Sequence, residues 1–205
     1  MLVGPRARDR ARSDSFVYDP LNPVPTVGGN MCCMGDLLAP GAFNQAKVEE
    51  RDDVLVYTSA PLRRDVTVIG NPRVDLWAIS SASDTDFTAK LVDVHPDGYA
   101  QNLLDRIVRA SLRHGSKYDP SLIRPGRAYR YSLDLGNTAT VFKAGHRIRL
   151  EISSSNFPHY ARNLNNGRFD GSEASARHAR QTILHTSRYP SRLDLPVVPG
   201  LQPPA

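Results

Sequence analysis

Residues 84–113 read DTDFTAKLVDVHPDGYAQNLLDRIVRASLR, and this stretch narrows the possible folds more than any other. Phe87, Ala89 and Leu91 alternate with Thr88, Lys90 and Val92, the period-two pattern of a strand. Pro96-Asp97-Gly98 follows; it supplies a pre-set φ, a side chain able to bond its own backbone, and a residue free to adopt positive φ. Tyr99 to Leu104 then leads into Ile107 to Leu112 as a second strand-like run. The unit predicts an antiparallel β-hairpin. Val92 and Val94 intrude on its polar side, so part of the ribbon is expected to be buried on both faces. A lone hairpin is marginal in water, so a larger sheet must hold this one.

The rest of the chain repeats the theme. Strand-like runs are expected at 54–57, 66–69, 73–80, 129–135, 138–142 and 147–152, with closing strands at 181–185 and 193–198. The clearest is 147–152, where Ile148, Leu150 and Ile152 should face the core and Arg147, Arg149 and Glu151 solvent or a polar interface. Trp77, the single tryptophan, lies among Val74, Leu76 and Ile79 and is expected in the core or between sheets rather than on a sugar-stacking surface. No segment shows a convincing amphipathic helix, and no repeat of 20–50 residues is present. Many short strands separated by turn signals argue for an all-β sandwich.

The ends and loops read differently. Residues 1–15 are polar and Arg-rich and are expected to be loosely held. Residues 16–25 (FVYDPLNPVP) should run extended, because proline disfavours helix at itself and at the preceding residue. The expected organisation is therefore a tail and Pro-rich strap over 1–30, then one β-domain over 31–205. The formal charge of +5 with a cluster at Arg6, Arg8, Arg10 and Arg12 raises the question of nucleic acid; no binding motif accompanies it, so a solvated tail is expected instead. The only cysteines are the adjacent Cys32 and Cys33, which make no zinc set and suit reduced thiols and a cytoplasmic setting. No secretory signal is legible after Met1, and no apolar run approaches the ~20 residues that span a bilayer.

Several segments together resemble the C-terminal β-domain of the cocaine esterase/NonD family of serine hydrolases, related to X-Pro dipeptidyl-peptidases and α-amino-acid ester hydrolases. They are Asp19-Pro20 through Val24-Pro25-Thr26-Val27-Gly28-Gly29, Arg51-Asp52-Asp53-Val54-Leu55, residues 84–98, Gly145-His146-Arg147-Ile148, and residues 152–158 (ISSSNFP). The chain departs from the family at Arg106, at Ser111-Leu112-Arg113 and at residues 163–167 (NLNNG). The resemblance implies a jelly-roll β-sandwich of galactose-binding-like type that follows an α/β-hydrolase domain, with residues 16–25 as the strap between them. It also implies that the loop after Gly28-Gly29 leans toward the active site, with Leu37, Leu38 and Phe43 as candidate walls of the acyl pocket. From the residues alone, the same loop reads equally as an apolar plug at one end of the sandwich.

Catalysis within the chain itself is not expected. An α/β serine hydrolase needs its nucleophile on a strained elbow, usually G-x-S-x-G, beside a histidine oriented by a carboxylate. No G-x-S-x-G is present. Ser153, Ser154 and Ser155 end the strand that His146 begins, about 23–30 Å away at roughly 3.3 Å per residue. Asp84 and Asp86, and Asp93 with His95 and Asp97, invite a metal reading, but loop capping by aspartate-to-backbone bonds is expected instead. Asn156-Phe157-Pro158 reads as a corner whose phenylalanine enters the core. Two functions stay in view: a non-catalytic accessory domain of an esterase or X-Pro dipeptidyl-peptidase-like hydrolase, supporting domain or homo-oligomer packing, and a free-standing jelly roll that binds carbohydrate or another ligand. An exposed Trp77 or a row of surface tyrosines would favour the second.

Overall fold

The computed structural model describes residues 13–31, 38–115, 120–168 and 176–200. Within these, the chain is all-β, with one helical turn, α1 (Ala46–Glu49), and a short 3-10 turn at Ala110–Leu112. The strands are β1 (Ser13–Tyr18), β2 (Leu55–Thr58), β3 (Val66–Gly70), β4 (Arg73–Ser80), β5 (Asp86–Val94), β6 (Ala100–Arg109), β7 (Ala128–Asp134), β8 (Thr138–Phe142), β9 (Arg147–Ser153), β10 (Ala179–Thr186), β11 (Tyr189–Pro190) and β12 (Arg192–Asp194). They form a jelly-roll sandwich. One sheet runs β1-β10-β4-β12, with β7 on the other side of β4 and β11 on β10; the other runs β2-β9-β5-β6; β3 and β8 form a separate ribbon.

The expected hairpin is β5–β6, paired from Asp86↔Arg109 to Val94↔Ala100 with a bulge between Leu91 and Val92. The bulge adds one residue to β6, so the ladder changes phase there. Every residue of β5 is buried. Its position explains this: β5 is flanked by β6 and β9 within its sheet, Phe87, Ala89 and Leu91 face the sandwich core, and Val92 and Val94 pack with Ala100 in a separate cluster.

The core lies between the two sheets. Leu76 and Ala78 of β4, Tyr131 and Leu133 of β7, and Ile183 of β10 meet Phe87, Leu91, Leu150 and Ile152 from the facing sheet. The Phe87 and Tyr131 rings cross the interface at 4.8 Å between centroids. Burial raises the Tyr131 hydroxyl pKa well above its ordinary value, so the group stays neutral there.

Four local expectations change. Ser13–Ser15, read as part of a loose tail, begin edge strand β1, which pairs with β10 from Ser13↔Leu184 to Tyr18↔Ala179 and buries Phe16 and Tyr18. Trp77 is not core: it shares the outer face of β4 with Asp75 and is half-buried, with its ring against Tyr189 at 5.1 Å. Phe157 does not enter the core; its ring is 39% exposed and lies under the Arg162 guanidinium at 5.7 Å. The second hairpin run stops as a strand at Arg109, and Ala110–Leu112 turns.

The polar face of β9 is the most consequential difference. Glu151 is 4% exposed. Its carboxylate lies 3.4 Å from Lys90 Nζ, which donates to Gln45 Oε1 at 2.7 Å. Arg149 donates to Glu49 Oε2 at 2.5 Å and to Thr58 Oγ1 at 2.8 Å. Residues 45–49 thus cover the outer face of the four-stranded sheet and turn a solvent face into a buried polar layer. Burial pushes the Glu151 carboxyl up to about 7, the nearby Glu49 adds to this, and Lys90 opposes it.

Candidate docking face and pocket wall

The strap reaches this surface by pairing with the corner after β9. Phe157 N–H donates to Val24 O at 2.9 Å, and Thr26 N–H donates to Phe157 O at 2.8 Å. Ser155 Oγ accepts Val24 N–H at 2.9 Å, and Thr26 Oγ1 accepts His159 N–H at 3.2 Å. The corner's backbone therefore does the anchoring, which leaves the Phe157 ring outside.

After the strap, Gly28 and Gly29 take positive φ, +66° and +120°. Gly29 and Gly41 exchange N–H···O bonds of 2.8 and 2.9 Å, closing the loop between them at its base. A Cβ on Gly28 would lie 2.5 Å from Gly41 O and 2.7 Å from Phe43 Cδ2. Glycine here is required both by backbone conformation and by the Phe43 ring lying against it.

Phe43 is held by its backbone. Its N–H donates to Asn102 Oδ1 at 2.6 Å, and its carbonyl accepts from Gln45 Nε2 at 3.0 Å. Gln45 Nε2 also donates to Val27 O at 2.9 Å, so the loop base is tied to the buried Lys90–Glu151 layer. The ring remains 40% exposed. Leu38 is half-buried, whereas Leu37, like Cys32 and Cys33, lies outside the described residues. Beside the loop, Asp105 accepts the Tyr160 hydroxyl at 2.9 Å and sits 3.7 Å from His159 Nδ1. Burial and that carboxylate raise the Tyr160 pKa above its ordinary value.

No described histidine is set up as a serine's base. His146 faces Asp93, His185 faces Asp14 and Tyr57, His159 faces Asp105, His178 faces Asp19, and His95 faces Gln101; His114 is exposed. Ser153 Oγ donates to Asp53 O at 2.7 Å and Ser155 caps the strap, while Ser154 Oγ is buried without a hydrogen-bond partner among the described residues. Asp84 behaves as expected of a capping group, whereas Asp86 is held by side chains and caps no backbone among the described residues. Asp84 Oδ1 accepts Ser111 N–H at 2.8 Å, and Asp86 is paired bidentately with Arg109 at 2.9 and 3.1 Å.

Residues 5–194 match the family model described as the X-Pro dipeptidyl-peptidase C-terminal non-catalytic domain. The chain belongs to this family. Over 189 residues it is 42% identical to cocaine esterase of Rhodococcus sp. (strain MB1 Bresler), covering 91% of this chain and 32% of that one. Among solved structures, an α-amino acid ester hydrolase superposes with a TM-score of 0.84 at 28% identity, over 96% of this chain and 34% of the other. An aminopeptidase from a marine sediment Thaumarchaeota archaeon gives 0.82 at 28% identity, over 96% and 34%. The chain thus spans about a third of the length of the curated relatives it matches most fully. Among the described residues, no helix is long and apolar enough to cross a membrane.

Sequence reasoning placed the Gly-Gly turn, but it missed Asn102, Gln45 and Asp105 as the side chains that hold the face together. Their partners are 51–59 residues distant for Asn102 and Asp105, and no local pattern marks such pairs. The one available signal was polar residues interrupting the hairpin's apolar run.

Proposed function

We propose that this chain is the accessory β-domain of an α/β serine hydrolase of esterase or X-Pro dipeptidyl-peptidase type, docked on the catalytic domain through the face described above. In this reading Leu37, Leu38 and Phe43 wall the acyl pocket, and the sandwich, with β1 as one of its strands, acts as one packing unit that also supports a homo-oligomer. The protein works in the cytoplasm with Cys32 and Cys33 reduced. The observation that carries the proposal is Phe43: a large apolar ring, 40% exposed, yet fixed at its backbone by Asn102 and Gln45 and backed by a glycine pair. A backbone so held has lost its entropy before any partner arrives, which suits a wall that must keep its shape.

The test replaces the aligned third of the Rhodococcus cocaine esterase with this chain and measures kcat/KM on esters of graded acyl size. An active chimera whose acyl preference shifts after Phe43→Ala or Leu38→Ala supports the proposal. Unchanged preference in both variants refutes the wall. A nitrophenol burst from the chain alone, stoichiometric and abolished by a serine-directed organophosphate, refutes the non-catalytic role. The carbohydrate-binding alternative gains no support from Trp77, because Tyr189 already packs against its ring.

A further inference from the structure

At the end of the sandwich bearing the β5–β6 turn, three potential ligands converge from two distant segments. Asp93 belongs to β5, His95 follows its end, and His146 precedes β9. One ligand atom from each can be chosen so that all lie within 4.8 Å of one another. His146 Nδ1 is 3.0 and 3.1 Å from the two Asp93 oxygens, and His95 Nε2 is 3.9 Å from Asp93 Oδ2. Gln101 Oε1 is 3.2 Å from the same His95 nitrogen, adding an oxygen donor to the group. The side chains of Asp93, His95 and His146 are 10%, 32% and 15% exposed, so the cluster is sheltered but open to an ion from solvent.

The scaffold holds these groups in place. His95 N–H donates to Tyr99 O at 2.9 Å, and Gly98 N–H donates to His95 O at 3.0 Å. His146 N–H donates to Lys143 O at 3.0 Å, while its carbonyl accepts Leu62 N–H at 2.8 Å. Asp93 sits opposite both Ile148 and Gln101 in the ladders of its two neighbours. The two imidazole rings lie 4.5 Å apart at 34°. Asp97, part of the motif in sequence, is absent from the cluster because its Oδ1 caps Tyr99 N–H at 3.0 Å.

We propose that Asp93, His95 and His146, with Gln101 as an oxygen donor beside them, bind one divalent d-block cation, zinc being the first to test. Two imidazole nitrogens and a carboxylate are a donor set such ions take readily. Ligand atoms around a tetrahedral zinc stand about 3.3 Å apart, given bond lengths of about 2.0–2.2 Å. The separations present need only small side-chain rotations to reach that. Binding needs each coordinating nitrogen unprotonated, so a neutral imidazole carries its proton on the other ring nitrogen and a charged one releases a proton to solvent, and the His146–Asp93 hydrogen bond gives way to two bonds to the ion. The role is structural: the ion ties the β5–β6 turn to the start of β9. This inference is independent of any docked catalytic domain.

The test is calorimetric titration of the purified 205-residue chain with zinc chloride at pH 7.5. A Cys32→Ser/Cys33→Ser background prevents the thiols from taking the metal. One ion per chain with micromolar affinity is expected. His95→Ala and His146→Gln should each weaken binding at least tenfold, while His178→Ala, at an exposed histidine elsewhere, leaves it unchanged. Less than one equivalent, millimolar affinity, or undiminished binding in the His95→Ala/His146→Gln double variant overturns the proposal. Should either variant lose its fold by circular dichroism, the imidazole NMR signals of the unsubstituted histidines decide. Zinc-dependent shifts confined to His95 and His146 support the site, and their absence overturns it.

Discussion

Replacing Leu150 with alanine should remove about 3–5 kcal/mol of stability, and replacing its neighbour Arg149 should cost a substantial fraction of that. Leu150 is 1% exposed and sits in register between Tyr57 of β2 and Leu91 of β5. Truncation removes about three carbon groups, roughly 2.4 kcal/mol at about 0.8 kcal/mol each. The cavity adds to this, because β9 is laddered on both sides and the buried Tyr57 and Leu91 cannot close in without breaking register; the total belongs in the upper part of the usual ~2–5 kcal/mol. Were Arg149 an ordinary exposed site, its loss would cost no more than about 0.5 kcal/mol. The structure makes it the partner of Glu49, with side chains only 19% and 9% exposed, so Arg149→Ala leaves a sheltered carboxylate unpaired near Glu151. A loss of about 1–3 kcal/mol follows. Urea melts followed by circular dichroism at constant m-value give both numbers. An Arg149→Ala loss within about 0.5 kcal/mol would refute the buried polar layer, and a Leu150→Ala loss below about 1 kcal/mol would refute the register of β9.

The same layer predicts a pH dependence. The Glu151 pKa is raised from 4.5 to about 7 in the folded chain, so the folded state holds its proton more tightly than the unfolded. Its stabilising contribution is complete below about pH 4.5 and is lost as pH rises through 7. Glu151→Gln should flatten that part of the stability–pH curve, and an unchanged slope between pH 4.5 and 7 would count against it. Gly28→Ala should cost at least about 1 kcal/mol, because its φ is +66° and the new Cβ meets Gly41 O and the Phe43 ring. Chymotryptic cleavage within residues 29–43, which hold Met31, Leu38 and Phe43, should accelerate in that variant, and a wild-type cleavage rate would show that the loop accepts the methyl group.

Period-two runs made the sheet strands legible because alternation is a local property: the core-facing residues of β5 and β9 read correctly in phase. Trp77 shows where the reading went astray. Val74, Leu76 and Ala78 share one parity and Trp77 the other, with Asp75; strand parity, not hydrophobicity, decides the side on which the ring lies. Phe157 failed similarly, since the corner's backbone, not its ring, makes the inward bonds. The burial of Glu151 was not legible, because its cover comes from residues 45–49 and its counter-charge from Lys90. The pocket-wall residues were reached through family resemblance, and the bonds that hold Phe43 connect segments no local pattern links. His146 joins Asp93 across 53 residues, so spacing within 93–97 could not show the cluster.

Strand β1 has a consequence for the order in which the molecule is assembled. It pairs with β10 across Ser13↔Leu184, while β5 and β6 meet across a short turn. Closing so long a loop pays its entropy before any ladder bond rewards it. During synthesis, β1 leaves the ribosome long before the strand that completes it exists. The hairpin can form meanwhile, but Phe16 and Tyr18 must wait uncovered until residues 179–184 emerge. Among the described strands, β1 is thus made first yet seated only once β10 exists, and its apolar edge stays unpaired while β2 to β9 are made.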